Sequence, residues 1–250
     1  MKKFILIFLS IICGFLMAAC SDERIEKQNS SVPVQEDITE SPSNNQTEDG
    51  QNIDQTMGDT NILIAYFSRV GNTNFDEDID AVSSASLNQD GNSLSGNAEL
   101  LARMVQEETG GDIFLIETAE KYPSDYDETT EVAAQEQDED TRPELISHVE
   151  NMDQYDTVIL IYPIWWGTLP QPVFTFLEEY DFSGKKILPL STHEGSGMGR
   201  SEEDIAETVR DAELLEGLAV RGASVEDARK EISDWIQNMG IVAEYPSPDE

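Results

Sequence analysis

Cysteine is nearly absent. Cys13 and Cys20 are the only two, and both stand in the first twenty of 250 residues. Everything beyond them therefore lacks a disulfide, a thiol nucleophile and a cysteine metal site. Histidine is equally scarce. His148 and His193 are far apart in the chain, which argues against a histidine-rich metal centre. Positive charge is the third shortage: 15 Lys and Arg face 51 Asp and Glu, for a net charge of −36. Residues 61–250 alone hold 11 basic and 41 acidic side chains. Nucleic acid needs a basic face and finds none here. The same charge repels anionic lipid heads and favours solubility in an exposed compartment. There is no GxGxxG dinucleotide fingerprint and no internal repeat. The acidic runs Asp76–Asp80 and Glu136–Asp140 lack the fixed spacing of a metal loop and read as solvated faces.

What is present begins with an export signal. Lys2 and Lys3 form a positive start, and Phe4–Met17 an apolar stretch too short for a comfortable transmembrane helix of roughly 20 residues. Ala18 and Ala19 then precede Cys20, as in a secretory signal. Leu16-Met17-Ala18-Ala19-Cys20 resembles the lipobox of bacterial lipoproteins. That resemblance implies a signal peptide over residues 1–19, cleavage before Cys20, and lipid on the Cys20 sulfur and amine. The expected location is the extracytoplasmic face of a bacterial cell membrane, reached through the lipid anchor only. Residues 20–59 are rich in Ser, Asn, Gln, Asp and Glu with few large apolar side chains, so they cannot bury a core. They read as a disordered polar tether, and about 40 flexible residues span roughly 35 Å. Residues 60–250 fit one domain.

Within that domain, Ile62–Phe67 is apolar on both faces, as in a central parallel strand. It stops abruptly in Ser68, Gly71, Asn72 and Thr73. Asn74–Gly96 is polar and aperiodic and reads as an inserted loop. Asn97 is placed to cap the helix AELLARMVQEE, which Gly110 ends. Asp112–Glu117 is a second strand, and Glu128–Asp140 a helix broken near Arg142-Pro143. Thr157–Tyr162 is a third strand, followed by helix Gln171–Tyr180. Lys186–Leu190 is the fourth strand. Ser201 with Asp204 has the form of a capping box. Leu214–Val220 is a fifth strand, and Ser224 with Asp227 caps a last helix running to Met239. The alternation predicts an α/β fold: a doubly wound, five-stranded parallel sheet with helices on both faces.

In the strand order 2-1-3-4-5, the ends of strands one and three flank the switch point where such sheets bind ligands. Strand one ends in hydroxyls and N–H groups suited to a phosphate. Strand three ends in paired tryptophans between prolines, and strand four in a glycine-rich turn. A phosphate cradle, a flat aromatic wall and close backbone match the shape of FMN. The segments AYFSRVGNT, YPIWWG and STHEGSG resemble the three flavin-binding loops of the flavodoxin-like family, and the resemblance covers about residues 60–240. It implies FMN as cofactor. The first loop would hold the phosphate with Ser68, Gly71, Asn72 and Thr73, with Arg69 and Val70 contributing backbone. The second, Pro163, Ile164, Trp165, Trp166 and Gly167, would meet the ring and ribityl chain. The third, Thr192, His193, Glu194, Gly195, Ser196 and Gly197, would border the other ring edge, with Glu194 the carboxylate placed to oppose reduction.

The family runs its first loop straight into a helix. Here Asn74–Gly96 intervenes. Either the insertion bulges out and Asn97 still faces the phosphate, or the site is rearranged. A phosphoacceptor receiver domain shares the fold but needs clustered Asp after strand one, where Ser68 and Arg69 stand. Three functions are then open. The first is a membrane-tethered FMN protein that carries electrons between a redox partner protein or small acceptor, with no catalytic side chain and no metal. The second is an FMN-dependent reductase of quinones using NAD(P)H. The third is a flavin-free binding lipoprotein.

Overall fold

The computed structural model describes residues 61–75, 85–90 and 93–241. The signal peptide, Cys20 and the tether lie outside the described residues, as does part of the 74–96 insertion. β1 (Ile62–Tyr66), β4 (Asp112–Leu115), β5 (Thr157–Pro163), β6 (Lys186–His193), β7 (Glu213–Leu214) and β8 (Leu218–Arg221) form one sheet. Its order is β4-β1-β5-β6-β7, with β8 also on β6, and every pairing is parallel. This is the expected order 2-1-3-4-5.

The fifth strand is in two pieces rather than one. β6 advances three residues from Ile187 to Leu190 while its partner advances four, from Leu214 to Leu218. Pro189 stands in that gap, and proline offers no N–H to a ladder. The Gly217 N–H turns instead to Glu202 Oε1 at 3.0 Å.

The central strands alternate sides. Leu63, Ala65 and Phe67 of the first, with Val158, Leu160 and Tyr162 of the third, enter one core. Ile64, Ile159 and Ile161 enter the other. α3 (Tyr126–Asp138), α4 (Gln171–Glu179) and α5 (Ser201–Thr208) cover the first face, and α2 (Asn97–Thr109) and α6 (Arg229–Asn238) the second. β5 is buried along its full length. Burying a side chain such as Ile159 favours folding by about 1.5–3 kcal/mol, which is why so apolar a run has no stable exposed position.

Several expected details are corrected. The insertion contains an antiparallel hairpin, β2 (Leu87–Asp90) with β3 (Ser93–Gly96). Asn97 is the first helical residue rather than the cap. Gly96 takes the cap position, and the Asn97 N–H donates to Ser86 O at 3.0 Å. Ser201 lies inside α5, whose cap position is Arg200. Its hydroxyl donates to Met198 O and accepts from Tyr162 Oη, so it is not free to cap. Ser224 and Asp227 fall in a 3₁₀ stretch, Gly222–Asp227, ahead of α6, and no side chain caps that helix.

Candidate functional site

The carboxyl ends of β1, β5 and β6 open on one edge of the sheet. Beyond β1 the chain makes a single turn, α1 (Arg69–Asn72), in which Val70 and Gly71 leave helical angles. Gly71 has φ +97°, and a Cβ there would sit 2.7 Å from Leu115 Cδ2. Ser68 Oγ accepts from the Val70 N–H at 3.2 Å. Asn72 is fully buried and committed: Nδ2 donates to Ser68 O and Ile116 O, and Oδ1 accepts from the Thr118 N–H and hydroxyl. Its side chain holds the loop rather than facing outward.

Arg69 differs from its expected role as a backbone contributor. The residue is only 1% exposed. Nη2 donates to Pro123 O, Ser124 O and Thr129 Oγ1 at 3.0–3.2 Å. Among the described residues Nε and Nη1 have no hydrogen-bond partner, and neither does the buried Thr73 Oγ1. Burial pushes the Arg69 pKa down, while Asp125 and Tyr126 oppose that shift.

The α2 amino end meets this loop. A Cβ on Gly96 would lie 1.9 Å from Ser68 Oγ, so the insertion leaves the helix start against the first loop.

β5 delivers the second loop. The Trp165 and Thr168 backbones bond each other at 2.9 and 3.0 Å, and Trp166 is held at φ +47°. Trp165 packs edge-on against Phe67 and Tyr122, with centroids 5.4 and 5.2 Å away. Trp166 is 60% exposed and donates through Nε1 to Thr130 O at 3.0 Å. The loop is tied to the next by Ile164 N–H to Thr192 O and Arg200 N–H to Gly167 O. Gly199 makes that approach possible, since a Cβ would stand 2.2 Å from Gly167 O.

In the third loop, Thr192 and His193 belong to β6 itself. His193 Nδ1 accepts from the Gly195 N–H at 2.8 Å. Glu194 Oε2 lies 3.8 Å from Arg221 Nε.

These loops and α3 enclose a cavity of about 670 Å³, within the usual range of small-molecule sites. Of the expected residues, Arg69, Ile164, Trp165, Trp166, Gly167, Glu194 and Ser196 line it. Ser68, Val70, Gly71, Asn72, Thr73, Pro163, Thr192, His193, Gly195 and Gly197 are not among its lining residues. Sequence reasoning missed the α3 wall of Tyr126, Thr129, Thr130 and Ala133, and the insertion's Ala85 and Ser86. Ser86 Oγ accepts from Trp165 Nε1 at 3.1 Å, and Ala85 O from Thr192 Oγ1 at 2.6 Å. A capped helix after the KYPSDY loop was a usable signal for α3; nothing in the polar insertion marked Ser86.

Next to Trp165, Tyr122 Oη donates to Glu136 Oε2 at 2.8 Å. Burial pushes the tyrosine well above its ordinary pKa. It also raises Glu136, a shift that the tyrosine hydrogen bond opposes and Glu120 reinforces.

Together these features define a doubly wound α/β protein with a ligand crevice at its switch point. A family profile described as flavodoxin matches residues 89–239, more than half of the chain. A solved candidate flavoprotein of Bacteroides eggerthii DSM 20697 is 28% identical, with TM-score 0.55 over 72% of this chain and 97% of that one. A second, from Bacteroides uniformis ATCC 8492, is 27% identical, with TM-score 0.52 over 71% and 98%. Among curated proteins none matches. The chain belongs to the flavodoxin family.

Proposed function

We propose that this protein binds FMN and carries electrons, tethered through lipid on Cys20 to the extracytoplasmic face of a bacterial membrane. The observation that carries the flavin reading is the convergence of the β1, β5 and β6 loops around a tryptophan-walled cavity in a flavodoxin-family chain. The fit is supported by three buried polar atoms without partners, Arg69 Nε, Arg69 Nη1 and Thr73 Oγ1, all in the loop expected to take the phosphate. The backbones of Gly167, Gly195 and Gly197 border open space, where a planar ligand can approach closely.

FMN, when bound, supplies the electron uptake and release; the protein positions it. Ser68–Thr73 would hold the phosphate, aided by the α2 amino end with its partial positive charge. Trp165 and Trp166 would form the ring wall, and Thr192–Gly197 the far edge. Loops two and three are joined by backbone hydrogen bonds, so the wall and the edge are set before ligand arrives. Trp165, pinned by Ser86 and two aromatic neighbours, keeps bulk water from that side.

Purified full-length chain should be yellow, or turn yellow with added FMN, and heat-released cofactor should run as FMN on chromatography. Released FAD, or a colourless protein indifferent to FMN, would overturn the reading. Rapid NADH or NADPH oxidation with a quinone would make it a reductase rather than a carrier. For the tether, Cys20→Ala should leave the membrane fraction or keep its signal peptide. Unchanged fractionation and processing would remove the lipid anchor from the account.

A further inference from the structure

We infer that the Arg69 side chain binds an oxyanion, a phosphate or a carboxylate, carried by the ligand of the cavity. The inference rests on the flavin-site reading for where that ligand lies. A guanidinium stays charged in a protein and is costly to bury without acceptors. Among the described residues Arg69 has three neutral acceptors on Nη2 and none on Nε or Nη1. Arg103, Arg142, Arg200, Arg221 and Arg229 each pair with a carboxylate. Arg69, the most buried of them, pairs with none among the described residues, in a chain of 51 acids.

Its charge is met instead by dipoles, by the Phe75 ring, whose centroid is 5.2 Å from Cζ, and by the field of Asp125, which makes no ion pair with it. The Nη2 bonds to the Pro123–Thr129 segment fix the guanidinium plane, so the open nitrogens are oriented in advance. Thr73 Oγ1, buried in the same loop without a partner, is a further donor. Arg69 also lines the cavity, so a ligand seated there lies against the buried guanidinium. A domain so rich in carboxylates repels anions at long range, and this local positive charge is what lets an anionic ligand enter.

The test uses the full chain, purified free of flavin, as parent, Arg69→Gln and Arg69→Lys. FMN and riboflavin affinities are read by flavin fluorescence. Stabilisation by inorganic phosphate is read as the melting shift against chloride at equal ionic strength. Binding of benzoate to the FMN-loaded protein is read from the flavin spectrum. Charge-assisted hydrogen bonds of this kind predict an FMN affinity lower by about 10- to 100-fold in Arg69→Gln, with Arg69→Lys between. Unchanged riboflavin affinity would then identify the anion as the flavin phosphate. If FMN affinity is unchanged but benzoate binding is lost with Arg69→Gln, the anion is a second ligand's carboxylate. If the variants match the parent toward FMN, phosphate and benzoate, the inference is overturned. A parent that binds no flavin but gains Arg69-dependent stability from phosphate would sink the flavin reading and leave this one standing. Should neither variant fold, the parent decides: no phosphate-specific shift in the apo protein together with no benzoate binding by the FMN-loaded protein overturns the inference.

Discussion

A buried amide can join two loops only if its donors and acceptor are all met, and Asn72 meets them across the first loop and the chain beyond β4. In sequence it was one of several polar residues suited to a phosphate; its neighbours turned it into a brace. Glu136 is the opposite case, a carboxyl whose surroundings oppose its charge. Burial raises its folded pKa above that of the unfolded chain. Between the two values the native state holds the extra proton, so stability falls as pH rises through that window and stays lower above it. Glu136→Gln keeps an acceptor for Tyr122 Oη and removes the titration. Urea denaturation should find it more stable than the parent at pH 7, with the difference shrinking as pH falls into the carboxyl range. A variant less stable than the parent by the same amount at both ends would mean that burial does not govern this group.

At the scale of elements, the decisive contact is the start of α2 against the first loop. The hairpin β2–β3 forms the last part of the insertion, and the chain arrives at Gly96 within touching distance of Ser68. Of the two arrangements open from sequence, neither is met in full: the helix start lies against the first loop, while the insertion's Ala85 and Ser86 fold into the cavity and bond Thr192 and Trp165. Gly96 has φ −81° and ψ 134°, angles that alanine accepts, so the cost of Gly96→Ala is steric rather than conformational. Overpacking of this kind destabilises by about 1–3 kcal/mol. Because the clash is with Ser68 Oγ, Ser68→Ala should recover part of the loss, a coupling that a double-mutant cycle by urea denaturation measures. Strict additivity of the two substitutions would show that the helix start and the loop do not press on each other.

For the molecule as a whole, charge dominates. Reduction of a bound flavin would add negative charge to a domain with 41 carboxylates and 11 basic groups in residues 61–250. One carboxylate about 10 Å away, at an effective dielectric near 40, opposes this by about 0.8 kcal/mol, or about 35 mV for one electron. Glu194 lines the cavity, but its pairing with Arg221 at 3.8 Å offsets part of its field. Glu194→Gln should therefore raise the potential by less than about 35 mV, and salt should raise that of the parent by screening the remaining carboxylates. Redox titration of both proteins at low and high ionic strength checks this. A potential that moves with neither would leave ring stacking by Trp165 or Trp166 as the tuning force.

Local pattern made the parallel sheet and its covering helices legible, and the strand order came with the doubly wound fold type that the alternation implied. Ile62–Phe67 and Thr157–Tyr162 are apolar on both faces, and such runs are stable only between two layers. The abrupt polar ends of the same strands marked the edge where the cavity lies. The remaining features depend on partners distant in the chain. Pro189 splits the last strand because of what it faces across the ladder. Ser201 is drawn from capping by Tyr162. The hairpin was hidden because its strands lack an apolar alternation, with Gly91-Asn92 between them the one available sign. Ser86 reaches the site through Trp165, 79 residues away. Arg69 looked like a backbone position in a loop, and burial against the Pro123–Thr129 segment made its side chain part of the cavity. Periodicity records which face of an element is buried, whereas contacts between elements are created only when the chain folds.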